Sequence, residues 1–263
     1  MYNYPVLSVY ISRMLIYKVR AFVWVLNDAA AIFLLPLVWI AAYGDNAVIG
    51  GLSKQAMTTY YIVVGFIFVF VTPHPEEKMI MEIKDGSVSE WLARPYSYFR
   101  HFFNEFLAHH FSIKLMLLFP LTALVAFLYK DYFLVTGIVP LLLAFLAAHI
   151  AIAGFFCISF SVGCSAFWFE DAWAVQQLYW FCVLLFGGAL APIELLPAVV
   201  QNAARVLPFQ YFHYFPAKLY LNQLAAGEII RGFMMLGAWL LAGVCLYKLV
   251  WHYGTKRYSA VGG

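Results

Sequence analysis

Six long apolar stretches alternate along the chain with short polar or proline-containing segments. Each stretch has the roughly 17 residues or more that an α-helix needs to cross the hydrocarbon core of a bilayer. The stretches occupy residues 21–43, 58–74, 106–129, 133–167, 174–191 and 229–251. The pattern therefore predicts an all-α integral membrane protein in which six transmembrane helices form one domain, residues 1–263.

The segments outside these stretches have patterns of their own. Residues 5–20 mix apolar positions with three basic ones, which is typical of an amphipathic helix at the membrane interface. Residues 75–100 form a long charged loop. Residues 192–228 are apolar but are interrupted by four prolines, Pro192, Pro197, Pro208 and Pro216. We expect short helices in this last segment, lying at the interface or dipping into the membrane against protein.

Composition agrees with a membrane location. Hydrophobic residues make up 65% of the chain and charged residues 11%, against about half and about a quarter in soluble domains. The net charge of +3 is small and scattered, so it gives no reason to expect a nucleic-acid partner. All four cysteines fall in predicted spans and are expected to be free thiols: Cys157, Cys164, Cys182 and Cys245.

The distribution of basic residues predicts the orientation. The side that holds the 75–100 loop carries ten lysines and arginines, and the other side carries five. Cytoplasmic loops are the ones enriched in these residues. Both termini and the 75–100 loop are therefore expected on the cytoplasmic side of a cytoplasmic (inner) membrane, and the 192–228 segment on the extracellular or periplasmic side.

The middle of the 75–100 loop predicts a short capped helix at the cytoplasmic face. Its candidate docking residues are Gly86, Ser87, Val88, Glu90, Trp91, Leu92, Arg94 and Pro95. The glycine favours a turn, the serine and the glutamate have the spacing of a capping box, and the proline disfavours helix at the arginine before it. The helix either rests its tryptophan on lipid headgroups or presents its apolar side chains to a partner's groove.

Two motifs resemble the permeases of type 2 ABC exporters. One is the loop sequence Glu82-Ile83-x-x-Gly86 followed by Leu92-x-Arg94-Pro95, which is similar to the coupling segment of that family. The other is similar to the family's extracellular segment before the last span: Pro192-x-Glu194-x-x-Pro197, then Leu207-Pro208-Phe209-x-Tyr211 and Pro216. Within the family, the chain looks closest to the branch associated with drug and viologen efflux.

The resemblance implies a mechanism and a set of partners. Two cytoplasmic ABC ATPase subunits would close on ATP and Mg, and the coupling helices would carry that motion to a central export pathway. The chain has no G-x-x-x-x-G-K-[ST] phosphate loop, so it is expected to be a transport subunit, not an enzyme, and to hold no cofactor. A second permease subunit, identical or related, would complete the translocator.

Two charged residues lie inside predicted spans at similar depth. Asp28 and Lys114 could form an ion pair near the cytoplasmic mouth, because a lone charge in the membrane is costly. Alternatively, Lys114 reaches to the interface and Asp28 finds another polar partner. His101, Glu105 and His109 share one helix stripe, for which a polar protruding helix end is a simpler explanation than a metal site.

Aromatic side chains on two spans are candidates for lining a transport pathway: Tyr61, Phe68, Tyr179 and Trp180. Such rings attract cations through their faces, which would suit a hydrophobic or cationic small molecule or a lipid-like substrate. An aromatic stripe is also common in helix packing and at lipid-facing surfaces, so the pattern leaves these alternatives open.

Three other functions compete with an exporter permease. An ion-coupled secondary transporter would be expected to carry more intramembrane carboxylates and two matching halves. An intramembrane enzyme would rely on the His101/Glu105/His109 stripe. A membrane scaffold would recruit an ATPase through the same cytoplasmic loop without transport.

Overall fold

The computed structural model describes residues 32–110 and 115–258. Over these residues the chain is predominantly helical. Twelve α-helices are described: α1 Ile32–Tyr43, α2 Lys54–Val71, α3 Pro75–Lys84, α4 Val88–Leu92, α5 Tyr98–His109, α6 Leu115–Leu128, α7 Ile138–Gly163, α8 Ala172–Phe186, α9 Ala198–Val206, α10 Phe209–Phe212, α11 Tyr214–Tyr220 and α12 Ala226–Arg257. The strands β1 (Val48–Ile49) and β2 (Leu52–Ser53) form an antiparallel hairpin, and short 3-10 helices cover Cys164–Phe167 and Ile193–Leu195.

Apolar helices occupy each predicted stretch within the described part of the chain. Three helical segments are long and apolar enough to cross a membrane: Lys54–Lys84, Ile138–Phe167 and Ala226–Arg257. Three shorter apolar helices are Ile32–Tyr43, Phe119–Leu128 and Ala172–Phe186. The membrane character of the chain is confirmed, while the crossing of all six helices stays a prediction. The predicted interfacial helix at residues 5–20 lies outside the described residues.

The boundary between α2 and α3 follows from local sequence chemistry. Ser53 caps the start of α2, because its side chain accepts a hydrogen bond from the backbone N–H of Ala56. The helix ends at Val71, just before the sequence Pro73-His74-Pro75, in which neither proline can donate to the helix. Pro75 then occupies the first turn of α3, where its missing N–H costs nothing.

Helix α7 begins at Ile138, five residues after the start of its apolar stretch. The preceding residues are held in extended form by a side chain of α2. The Thr59 hydroxyl accepts a hydrogen bond from the backbone N–H of Leu134 at 2.7 Å and donates to the carbonyl of Tyr132 at 3.4 Å. Because this loop is pinned to α2, the helix starts only where the chain leaves it.

Helix α7 is the centre of the bundle, because α2, α3, α11 and α12 all pack against it. Small residues of α7 and α12 allow the close approach. Gly154 leaves room for the ring of Phe212, and Gly243 of α12 lies against Cys157. The interpretation of the small residues on this span as packing sites is confirmed for Gly154 and Gly163.

The two ends of the bundle hold different elements of the chain. One end, called here the α4 end, holds α3, α4 and the last turns of α12, whose Tyr258 touches Gly86. The other, the hairpin end, holds β1 and β2, where Gly50 lies against Leu195. The positive-inside pattern predicts that the α4 end is cytoplasmic.

The proline-rich segment at residues 192–228 forms the expected short helices, and α10 and α11 pack into the bundle. Phe212 is fully buried, and His213 lies between Phe68 of α2 and Phe155 of α7, with ring centroids at 4.9 and 5.4 Å. Just before the segment, Tyr60 donates to the carbonyl of Gly188 at 2.7 Å. This carbonyl is therefore satisfied by protein, as irregular backbone at membrane depth requires.

Candidate functional site

The turn before α4 is closed by hydrogen bonds around Gly86. This glycine adopts φ +86°, a conformation that other residues avoid. The Asp85 carboxylate accepts the backbone N–H of Ser87 at 2.8 Å, and hydrogen bonds from Ser87 lower the pKa of Asp85 below its usual value. The Gly86 carbonyl accepts from Ser89 Oγ at 2.7 Å and from the Tyr258 hydroxyl at 3.0 Å. The turn is therefore fixed both locally and by the end of α12.

The predicted helix at residues 88–92 is present, but the predicted capping box is wrong. Ser87 already has helical backbone angles and makes no capping hydrogen bond. Its hydroxyl donates instead to the carbonyl of Glu82 at 3.4 Å, and Glu90 pairs with Arg94 at 3.3 Å. A capping serine needs an extended backbone, which the Asp85 turn excludes here.

Helix α4 is anchored by one face and exposed on the other. Val88 is fully buried, and the Trp91 ring stacks on His101 of α5 with centroids 3.8 Å apart. The guanidinium of Arg94 lies 4.4 Å from the centre of the same ring. Trp91 is thus held against α5 while staying partly exposed, and its contact with headgroups or with a partner's groove stays a prediction. Leu92, 43% exposed, is the apolar side chain that α4 presents outward.

The polar stripe of α5 ties this loop to the bundle. Lys78 of α3 lies 2.8 Å from the Glu105 carboxylate and 3.8 Å from Glu82, and Glu105 also lies 3.7 Å from His101. Tyr98 donates to Glu82 at 2.8 Å. Where the structure describes the chain, it shows no cluster of three or more potential metal ligands. Through the Lys78–Glu105 contact, the stripe joins α3 to α5.

The motif Pro192-x-Glu194 contributes a salt bridge near the hairpin end. Glu194 lies 2.5 Å from Lys218 of α11, and Lys218 also donates to Gln223 at 2.6 Å. Burial opposes the ionisation of Glu194, but hydrogen bonds from Lys218 and Tyr214 and the charge of Lys218 outweigh it, so its pKa lies below the usual value. This contact ties the start of the proline-rich segment to α11.

The aromatic pathway candidates separate into two groups. Phe68 and Trp180 face each other with ring centroids 6.2 Å apart, and both are partly exposed. Tyr61 is fully buried nearer the hairpin end, where its hydroxyl donates to the carbonyl of Leu190 at 3.1 Å. Tyr179 is also buried and shares a hydrogen bond of 2.8 Å with Ser159. The fold brings Phe68 of α2 to Trp180 of α8, and the neighbouring Tyr179 packs on Trp180 with ring centroids 5.6 Å apart.

A buried carboxylate lies beside this aromatic pair. Glu76, the second residue of α3, has no solvent exposure. Its Oε1 accepts a hydrogen bond from Trp180 Nε1 at 3.0 Å, and lies 3.7 Å from His74 Nδ1. The ring of His74 stacks on Trp180 at 4.6 Å. Within the described ranges, the other carboxylate oxygen, Oε2, has no hydrogen-bond partner. We call Phe68, His74, Glu76 and Trp180 the Glu76 cluster.

A buried carboxylate needs hydrogen-bond donors or positive charge at both of its oxygens. Trp180 supplies a donor to one oxygen of Glu76. Since one oxygen stays without a partner among the described residues, Glu76 is suited to receiving a further positive or donating group.

Two more buried polar atoms lie near this region. Gln176, one helical turn before Trp180 on α8, is 2% exposed, and its side-chain oxygen has no partner among the described residues. The same holds for Nε2 of His213, whose ring packs on Phe68. Unpaired buried polar atoms are few in folded proteins, and three of those in the described residues lie on or next to residues that contact this aromatic pair.

The sequence contained a signal for Glu76. After Pro75 at its start, the buried positions of α3 are Glu76, Met79, Ile80 and Ile83, which have the spacing of one helical face. The glutamate therefore occupies a position on the apolar stripe. The proposed pair of Asp28 and Lys114 lies outside the described residues.

Comparison with known proteins gives one match. The model of a family described as ABC-2 family transporter protein matches residues 29–262. No curated protein matches the chain, and no solved structure matches it.

Proposed function

Because the chain belongs to the ABC-2 transporter family, whose members form the membrane permeases of ABC transporters, we propose that it is the permease subunit of an ATP-driven exporter. Its substrate would be a hydrophobic or cationic small molecule or a lipid-like molecule, as in the drug and viologen efflux branch. Partner ABC ATPases would bind ATP and Mg. Two such subunits and a second permease, identical or related, would complete the complex in the inner membrane.

The observation that carries this proposal is the mounting of α4. The helix exposes Leu92 at the α4 end while Val88 and Trp91 hold it to the bundle. Tyr258 joins it to α12, and Lys78 joins α3 to α5. A force applied to α4 would therefore reach several helices, which is what a coupling element requires.

The partner surface is small and mixed in character. It consists of Leu92 flanked by the exposed pair Glu90 and Arg94. A central apolar side chain within a polar rim is the usual composition of a docking contact. We therefore expect the ATPase groove to take Leu92 and to pair with the charged side chains around it.

Purification of the tagged full-length chain from its native membrane tests this proposal. We expect an ABC ATPase to co-purify, and Leu92→Asp to abolish its recovery. The matched control is Leu190→Asp, which changes a 63% exposed leucine near the hairpin end and should leave recovery unchanged. Absence of an ATPase from the wild-type preparation, or equal recovery with both variants, would contradict the proposal. An ATPase that binds but drives no transport in vesicles would indicate a scaffold.

A further inference from the structure

We propose that the Glu76 cluster binds the positively charged group of an organic cation, with Glu76 as counter-charge and the rings of Trp180 and Phe68 as its walls. This proposal rests on the proposed function and narrows its substrate class to cations. It is carried by the juxtaposition of an incompletely paired, fully buried carboxylate with two aromatic rings.

The electrostatic part of the argument comes from Glu76. Among the described residues, only His74 lies within ion-pair distance of its carboxylate. The nearby Lys78 is engaged with Glu105 and Glu82 of the coupling region. The negative charge is therefore left without a lysine or arginine in this part of the structure, and a ligand cation would supply the missing partner.

The aromatic part of the argument comes from Trp180 and Phe68. A cation within about 6 Å of a ring centre is attracted to the ring face, most strongly with tryptophan. The Trp180 indole also donates to Glu76 Oε1, which fixes the ring next to the carboxylate. An acidic group with aromatic walls favours an organic cation over a neutral molecule, because the carboxylate and the ring faces both attract positive charge.

His74 marks the side from which a ligand would approach. Its side chain is 38% exposed, whereas Glu76 behind it is fully buried. The His74 ring stacks on Trp180 and so covers the carboxylate. A ligand would therefore approach Glu76 from the side of this ring and displace it.

The orphan oxygen of Gln176 extends the cluster along α8. An amide oxygen can accept from an ammonium or amidinium hydrogen, and this one lies one turn from Trp180. A ligand with N–H donors would therefore gain a hydrogen bond to Gln176. A quaternary cation has no such donor and would be bound by Glu76 and the rings alone.

The test measures binding of tetraphenylphosphonium to the full-length chain in lipid nanodiscs by equilibrium dialysis, with triphenylphosphine oxide as a neutral probe of similar shape. We expect Glu76→Gln to weaken binding of the cation about tenfold or more and to leave the neutral probe unaffected. The matched control Glu77→Gln removes the same charge from the next residue of α3, which is only half-buried, and should bind both probes as the wild type does.

Thermal unfolding gives a second readout of the same binding, because a ligand that binds the folded state stabilises it. The cation should raise the unfolding temperature of the wild type and of Glu77→Gln but not that of Glu76→Gln. If Glu76→Gln fails to fold, Trp180→Phe, which keeps a ring but removes the N–H donor, should weaken cation binding while leaving neutral-probe binding unchanged. Cation binding that is unaffected by these changes, or an equal loss for both probes, would overturn the proposal. Since no ATPase takes part, this result is independent of the co-purification test.

Discussion

Replacement of Gly163 by alanine should push α3 away from α7. A Cβ at this position would lie 2.9 Å from both Cβ and Sδ of Met79, and 3.1 Å from Cα of Glu76. Ordinary carbon contacts are about 3.5–4.0 Å. The Met79 sulfur can move, but Met79 Cβ and Glu76 Cα are fixed to the backbone of α3. The added methyl group can therefore be accommodated only by a shift of that helix.

The free-energy cost of the steric overlap can be separated from the helix-propensity gain by making the same substitution at a second glycine. Overpacking of this kind costs about 1–3 kcal/mol, whereas alanine gains about 0.5–1 kcal/mol over glycine within a helix. At Gly237 of α12, an added Cβ would meet nothing within 4 Å, so Gly237→Ala carries mainly the gain. We expect Gly163→Ala to be less stable than Gly237→Ala by about 1–3 kcal/mol, since the helix terms largely cancel.

Unfolding of both variants in mixed micelles, followed by the fluorescence of the eight tryptophans, measures this difference. Gly163→Ala should also weaken ATP-driven transport in the assembled complex, because α3 carries Glu76 and leads into the turn before α4. Equal stability of the two variants would refute the close α3 to α7 contact on which this reasoning depends.

Three further changes test other contacts. Tyr258→Phe removes the hydrogen bond to the Gly86 carbonyl in the turn before α4. It should speed amide exchange in α4 while changing global stability by about 1 kcal/mol or less; unchanged exchange would contradict a role of this bond in holding α4. Glu194, paired with Lys218, has a pKa below the usual 4.5, so its stabilisation is present above pH 4.5 and is lost as pH falls through the lowered pKa; Glu194→Gln should flatten that part of a stability profile, and an unaltered profile would argue against the pair. A double-mutant cycle of Lys78→Met and Glu105→Gln should show a coupling of about 0.2–1 kcal/mol, and additive effects would contradict a stabilising contact.

The sequence was sufficient for the features that depend on local pattern. The apolar stretches predicted the helices, and the Pro73-His74-Pro75 sequence predicted the break that follows α2, which ends at Val71. Pro192 and the prolines that follow it predicted the short helices before α12. These features follow from hydrogen-bond loss at proline and from helical spacing, which neighbouring residues alone determine.

The features that were missed depend on partners distant in sequence or on competing local bonds. The Ser87 cap fails because Asp85 closes the turn first. Trp91 is covered by His101, a contact that spacing alone does not reveal. Glu76 lies on the apolar stripe of α3, but its partner Trp180 is more than 100 residues away. Side-chain pairing across helices therefore decides which of the candidate residues form a site.

Site-specific photo-crosslinking tests most directly the claim that α4 is where an ATPase acts. Benzoylphenylalanine is placed at Leu92 in one variant and at Leu190 in another, two exposed leucines near opposite ends of the bundle. The complex is irradiated in native membranes and the adducts are identified by mass spectrometry. The account predicts an adduct with an ABC ATPase from position 92 and none from position 190. The absence of an ATPase adduct at position 92, or equal adducts at both positions, would contradict it.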